Sequence, residues 1–312
     1  RLHDNEAMHR ACQNHQEILF VYCFDPCRYV ETELGFNKTG AFRAKFILES
    51  VQDLKNQLKQ KGADLLVFQK EPENIIPELC ERYNIRNVYF QNEAGTEEEE
   101  VENRLEQKLM SVSVESQKVY GQTLYHIDDL PFPISQSPDV FSAFRKKLEK
   151  ESEVRQIFPI PQTLKSIPEQ PETQLPSIYQ LGLEEIERDE RSAFPFKGGE
   201  TEALEHLNSY IWGNELIKTY KLTRNGLIGA DYSSKFSPWL SIGALSPRKI
   251  FGEIKKYESE KIKNKSTYWL VFELIWRDFF NIQARKLGPK LFRIGGAKDV
   301  KIRWHNDGGL FD

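Results

Sequence analysis

Four short runs rich in β-branched and aromatic residues, EILFVYCF (17–24), DLLVFQ (64–69), NVYFQ (87–91) and KVYGQTLY (118–125), alternate with stretches of helical period. Between the first two, Ile47, Val51, Leu54 and Leu58 recur every three or four residues in a segment from Gly40 to Lys61 that stops at Gly62. A second helix is expected from Pro72 through IIPELCERY. A third follows Thr96, an N-cap candidate trailed by four glutamates that suit a helix N-terminus. Parallel strands need long crossovers, so this alternation selects a parallel sheet with helices on both faces. The chain opens on the polar loop-to-helix stretch RLHDNEAM with no strand ahead of it. The expectation is an α/β, doubly wound sheet whose first strand is missing.

From Asp128 the pattern changes. Pro131, Pro133, Pro138, Pro159, Pro161, Pro168, Pro171 and Pro176 punctuate a connector, interrupted by one helix around Val140 to Lys150. Beyond about Gly182 the period is helical throughout, in Thr201–Trp212, Pro247–Tyr257 and Tyr268–Arg285. The expected organisation is an α/β domain over 1–127, a connector over 128–181 and an all-helical domain over 182–312. The last segment, RWHNDGGLFD, is a loop with no closing element, so this domain too is expected to be cut short.

A chain of 312 residues, 39% hydrophobic and 29% charged, can bury two cores. Its longest apolar run, Ile18 to Phe24, is far short of a membrane span, and no signal peptide opens it. Cys12, Cys23, Cys27 and Cys80 form no CxxC pair, so reduced thiols are expected rather than a disulfide frame, and no metal site. Charge is unevenly spread: from Lys197 onward 20 Lys and Arg face 13 Asp and Glu, while the first 196 residues hold 23 against 34. A basic second part can present a local field to a polyanion; an unevenly charged solvated surface is the plainer alternative.

Two segments carry chemistry. SSKFS places hydroxyls at Ser233, Ser234 and Ser237 just before Pro238, at a helix start; free N–H groups and hydroxyls there suit a phosphate, or simply cap the helix. FELIWRDFF (272–280) puts Glu273, Trp276, Arg277 and Phe280 on one helical stripe and Phe272, Ile275, Phe279 and Ile282 on another. A charged pair on so apolar a helix needs a partner.

SSKFSPWLSIGALSPR (233–248) followed by WLVFELIWRDFF (269–280) resembles the photolyase/cryptochrome family. YSSKFSPWL, PFKGGETEAL (195–204), CFDP (23–26), TGAFRAKFILESVQDL (39–54) and QTLYHIDDLPF (122–132) are similar to its DASH-type cryptochromes. The likeness spans the whole chain.

The resemblance implies an antenna-binding α/β domain joined to a helical domain that holds FAD. By position, Tyr220 and the loop Ser233, Ser234, Lys235, Phe236 and Ser237 would grip the FAD phosphates, with Arg277 near the flavin. Glu273 and Trp276 would face the cavity that receives a flipped-out pyrimidine dimer, and Arg224 would contact DNA phosphate. Trp304 would be the outer member of an electron-relay chain, although a lone Trp equally suits packing. Glu93 or Glu97 would bond a 5,10-methenyltetrahydrofolate antenna, a solvated helix start being the plainer reading of that acidic stretch. The implied activity is light-driven splitting of cyclobutane pyrimidine dimers in single-stranded DNA by an electron from reduced FAD. A blue-light photoreceptor that signals through a partner is the alternative. The family's later FAD motifs have no counterpart before residue 312, so this chain alone is expected to bind FAD weakly or not at all. A monomer is expected, cytoplasmic in a bacterium, with an organelle left open.

Overall fold

The computed structural model describes residues 1–301 apart from 188, 193 and 228. Its first part runs α1 (Glu6–Asn14), β1 (Phe20–Cys23), α2 (Ala41–Gln60), β2 (Leu65–Phe68), α3 (Pro72–Arg82), β3 (Asn87–Gln91), α4 (Thr96–Ser111) and β4 (Glu115–Val119). Asn5 caps α1 by accepting the N–H of Met8. At α4 the cap is Gly95, and Thr96 is already the first helical residue with Glu97, Glu98 and Glu99 behind it. The fourth strand also lies earlier than its apolar run. Its residues ESQKV pair with β3, Asn87 opposite Glu115 and Gln91 opposite Val119, while Leu124 and Tyr125 are drawn away to the helical part.

Both strand–strand pairings are parallel, as strand–helix alternation requires. Among the described residues they form two separate pairs, β1 with β2 and β3 with β4. An apolar cavity of about 560 Å³ lies between the pairs, walled by Val21 and Val88 from the two strands and by Met8 of α1. α2 buries Ala44, Val51 and Leu58 against Leu65 and Val67 of β2, the helical period of one meeting the alternation of the other.

The second part holds α5 (Phe141–Glu151), α6 (Glu200–Asn208) with a π turn over Ser209–Gly213, α7 (Tyr220–Thr223), α8 (Ser237–Ser241), α9 (Pro247–Glu260) and α10 (Lys265–Leu287). Asn264 opens α10 with a capping box: its side chain accepts the N–H groups of Ser266 and Thr267, and the Thr267 hydroxyl accepts the N–H of Asn264. Gly288, at φ 50°, ends it in a backbone region where a side chain is disfavoured. Leu270, Leu274, Ile275 and Ile282 of α10 are buried in one core with Leu207, Ile211, Ile250 and Ile254. Each such side chain contributes roughly 1.5–3 kcal/mol of burial. No helix among the described residues is long and apolar enough to cross a membrane.

The opening loop staples the two parts. Asp4 accepts from Arg248 Nε at 2.9 Å and lies 2.8 Å from Arg248 Nη2, both side chains fully buried. Glu200 accepts the backbone N–H of His3 at 2.8 Å and the His3 Nδ1–H at 2.5 Å; Ser246 N–H donates to His3 Nε2, which fixes that tautomer.

Candidate functional site

The half-open face of α10 gathers the site. Its period places Trp269, Glu273, Trp276 and Phe280 along one side, while Leu270, Leu274 and Asp278 point into the protein. Trp276 stacks on Phe141 of α5, ring centres 3.6 Å apart and planes 9° from parallel. Phe280 lies beyond it at 5.5 Å and is 63% exposed. The aromatic stripe is thus backed by packing at one end and open to solvent at the other.

α7 meets this stripe. Arg224, just past its end, sits with Nη1 2.8 Å from Glu273 Oε1, and its guanidinium lies 5.6 Å from the Trp269 ring centre. Lys221 Nζ lies over the same ring at 4.2 Å. Burial pushes the Tyr220 phenol up to about 12, with Glu273 raising it further and Arg224 opposing. Tyr220, Arg224 and Glu273, singled out separately in the sequence, are therefore neighbours.

The hydroxyl loop is anchored from below. Phe236 is buried against His206 and Tyr210, and His206 Nε2 sits 2.8 Å from the carbonyl oxygen of Ser234. Only the backbone of Phe236 is left to face a ligand. Ser233, Ser234 and Lys235 stay half-buried and Ser237 exposed, and Lys235 adopts φ 55°, a strained value for a side-chain-bearing residue. Two buried donors, Tyr210 Oη against Phe236 of this loop and Trp269 Nε1 beside Arg224, have no hydrogen-bond partner among the described residues. Serine hydroxyls that solvent can reach, beside the unpartnered Tyr210 hydroxyl, fit a polyoxygenated anion with a ring system, the chemistry of a flavin dinucleotide.

Arg277 is held by the backbone of two neighbouring segments. It donates to the carbonyls of Gln122 and, at 3.2 Å, Leu240, and burial lowers its pKa. It ties α10 to the strand-to-connector crossing and to α8. Beside it, Asp278 accepts the N–H groups of Leu124 and Tyr125 at 2.9 Å each. Sequence reasoning passed over Asp278; the signal was an acid in register with the buried positions Leu274, Ile275 and Ile282. Trp304 lies outside the described residues.

A second cavity, about 750 Å³, opens at the carboxyl ends of β1 and β3, where parallel sheets bind ligands. Asp25, Arg28, Lys38, Glu93, Gln122 and Arg277 are among its walls. Glu93 accepts from Gln91 and Gln122, and burial raises its pKa. Glu97 is exposed at the rim, paired with the wall residue Lys38 at 2.6 Å, which lowers its pKa. Of the two acids, only Glu93 reaches this cavity.

The family model for DNA photolyase matches residues 1–168. The chain belongs to the DNA photolyase family. Within it, the relatives are DASH-type cryptochromes: Cryptochrome DASH of Danio rerio is 46% identical over 316 residues, covering 100% of this chain and 61% of that protein. Cryptochrome DASH of Gloeobacter violaceus is 44% identical over 312 residues, covering 100% of this chain and 62% of that protein. The crystal structure of a Synechocystis sp. PCC6803 cryptochrome superposes with a TM-score of 0.95 at 43% identity, covering 100% of this chain and 64% of that one. This photolyase-family chain therefore has the photolyase/cryptochrome fold, with its α/β part first, and spans about 60% of the length of these relatives.

Proposed function

We propose that the chain is the larger part of a DASH-type, light-driven flavoprotein that splits cyclobutane pyrimidine dimers in single-stranded DNA. The observation that carries this reading is the meeting of Tyr220, Arg224 and Glu273 beside the Trp269–Trp276 stripe, with Tyr210 linking Tyr220 to Phe236 of the hydroxyl loop. FAD, when bound, supplies the light-driven one-electron donor. Ser233, Ser234, Ser237 and the Lys235 backbone hold its phosphates by directed N–H and O–H groups, with Tyr220 closing the same edge. Trp276, braced from behind by Phe141, offers a rigid stacking surface to an unstacked base. Glu273 accepts a hydrogen bond from the base, and Arg224 and Lys221 supply positive charge for the backbone. A reduced folate in the 750 Å³ cavity, bonded through Glu93, serves as antenna.

The test is light-dependent loss of dimers from single-stranded and duplex oligonucleotides, with the chain in saturating FAD under reducing conditions. Faster loss from the single strand is expected, and its abolition in Trp276→Ala. No light-dependent loss from either substrate, with FAD bound, overturns the reading; light-dependent capture of a protein partner instead would favour a photoreceptor.

A further inference from the structure

Arg224 and Glu273 each had a separate job in the reading above, yet they hold one another. Nη1 and Oε1 are 2.8 Å apart, with the two side chains 32% and 29% exposed. The pair is thus reachable by a strand and still partly shielded from water. It sits between two indoles of α10, Trp269 one turn before Glu273 and Trp276 one turn after. Lys221, the other cation over Trp269, has no carboxylate partner among the described residues. One cation at this edge is free for phosphate and the other is neutralised.

We infer that the Arg224–Glu273 pair sets a threshold that separates damaged from undamaged single strands. The inference rests on this face being the lesion-binding surface. A phosphate can take Arg224 only by displacing Glu273. When the bases stay stacked within the strand, nothing returns to that carboxylate, which is left without its cation between two indoles. A thymine flipped onto Trp276 brings its N3–H to Glu273, so the exchange leaves both ions satisfied. Arg224 therefore grips phosphate in concert with an extruded base and resists a strand that offers none. Glu273 acts on undamaged DNA as a competitor and on damaged DNA as an acceptor.

Equilibrium binding of undamaged oligodeoxyadenylate, whose bases stay stacked and carry no ring N–H, measured at several salt concentrations for the parent chain, Glu273→Gln, Arg224→Gln and the double variant, tests this. Glu273→Gln is expected to tighten undamaged binding by about two- to five-fold, the scale of a half-exposed ion pair. It should also steepen the slope of log K against log salt by about 0.7, because one more cation becomes available to phosphate. In the Arg224→Gln background the same change should do neither. Glu273→Gln should also lose preference for a strand carrying a thymine dimer. If Glu273→Gln leaves affinity and slope unchanged, or tightens binding equally with and without Arg224, the threshold is refuted while the lesion-binding reading survives. If no variant, the parent included, binds single strands, both fall.

Discussion

The carboxylate of Asp278, inside α10, accepts the backbone N–H of Tyr125 at 2.9 Å and so clamps the helix that bears the site to the chain leaving the α/β part. Burial pushes the Asp278 pKa up to about 7, against the pull of the Tyr125 and Leu124 N–H groups and of Arg277.

That shift fixes a sign. The folded state holds this proton more tightly than the unfolded chain, whose ordinary value is 3.8. Between about pH 4 and pH 7 the native state binds more protons, so this group's contribution to stability falls as pH rises. Urea unfolding across that window should show a loss of up to about 4 kcal/mol that is absent in Asp278→Asn. Glu200 acts the other way. Burial is the largest influence and raises its pKa, but the hydrogen bonds from His3 and the nearby positive charge together outweigh it and hold the carboxyl at about 2. Its contribution is complete above about pH 4.5 and fades as pH falls toward 2, a loss that Glu200→Gln should remove.

The buried Asp4–Arg248 pair should behave as a single unit. Removing one partner leaves a guanidinium uncompensated inside the protein, and Asp4→Ala should cost about 3–5 kcal/mol in chemical denaturation. Asp189→Ala, which breaks the exposed pair with Arg191, should leave the midpoint where it was.

The two antenna candidates are now separable by binding. Glu93→Gln should weaken 5,10-methenyltetrahydrofolate by about tenfold or more, as loss of a charge-assisted hydrogen bond implies, whereas Glu97→Gln should change nothing. Absorbance titration of the folate into each variant reads this directly. Equal losses would move the antenna out of this cavity.

Much of the frame was legible because local pattern and tertiary demand agree. β1, β2 and β3 are short β-branched runs that must be half-buried or buried, and α10 shows its period over 23 residues with a cap at Asn264. β4 was displaced in the reading because its residues ESQKV are polar, while the apolar Leu124 and Tyr125 beyond it serve the crossing to α10. Long-range pairs left no local trace. Asp4 meets Arg248, and Glu273 meets Arg224 with α8 and α9 between them in the chain, through side-chain directions that spacing does not encode. The choice between Glu93 and Glu97 was equally hidden, since both belong to one acidic stretch and only one turns toward the cavity.

Titration of FAD into the purified chain, followed by flavin absorbance and fluorescence, tests the central claim that the 233–237 loop and the α7–α10 face cradle a flavin. Leu222 and Leu227, 83% and 94% exposed beside this face, leave the cradle one-sided. Saturable binding at about micromolar strength or weaker is therefore expected, falling about tenfold in the Ser234→Ala, Ser237→Ala double variant. Binding whose affinity survives loss of both hydroxyls would contradict the account.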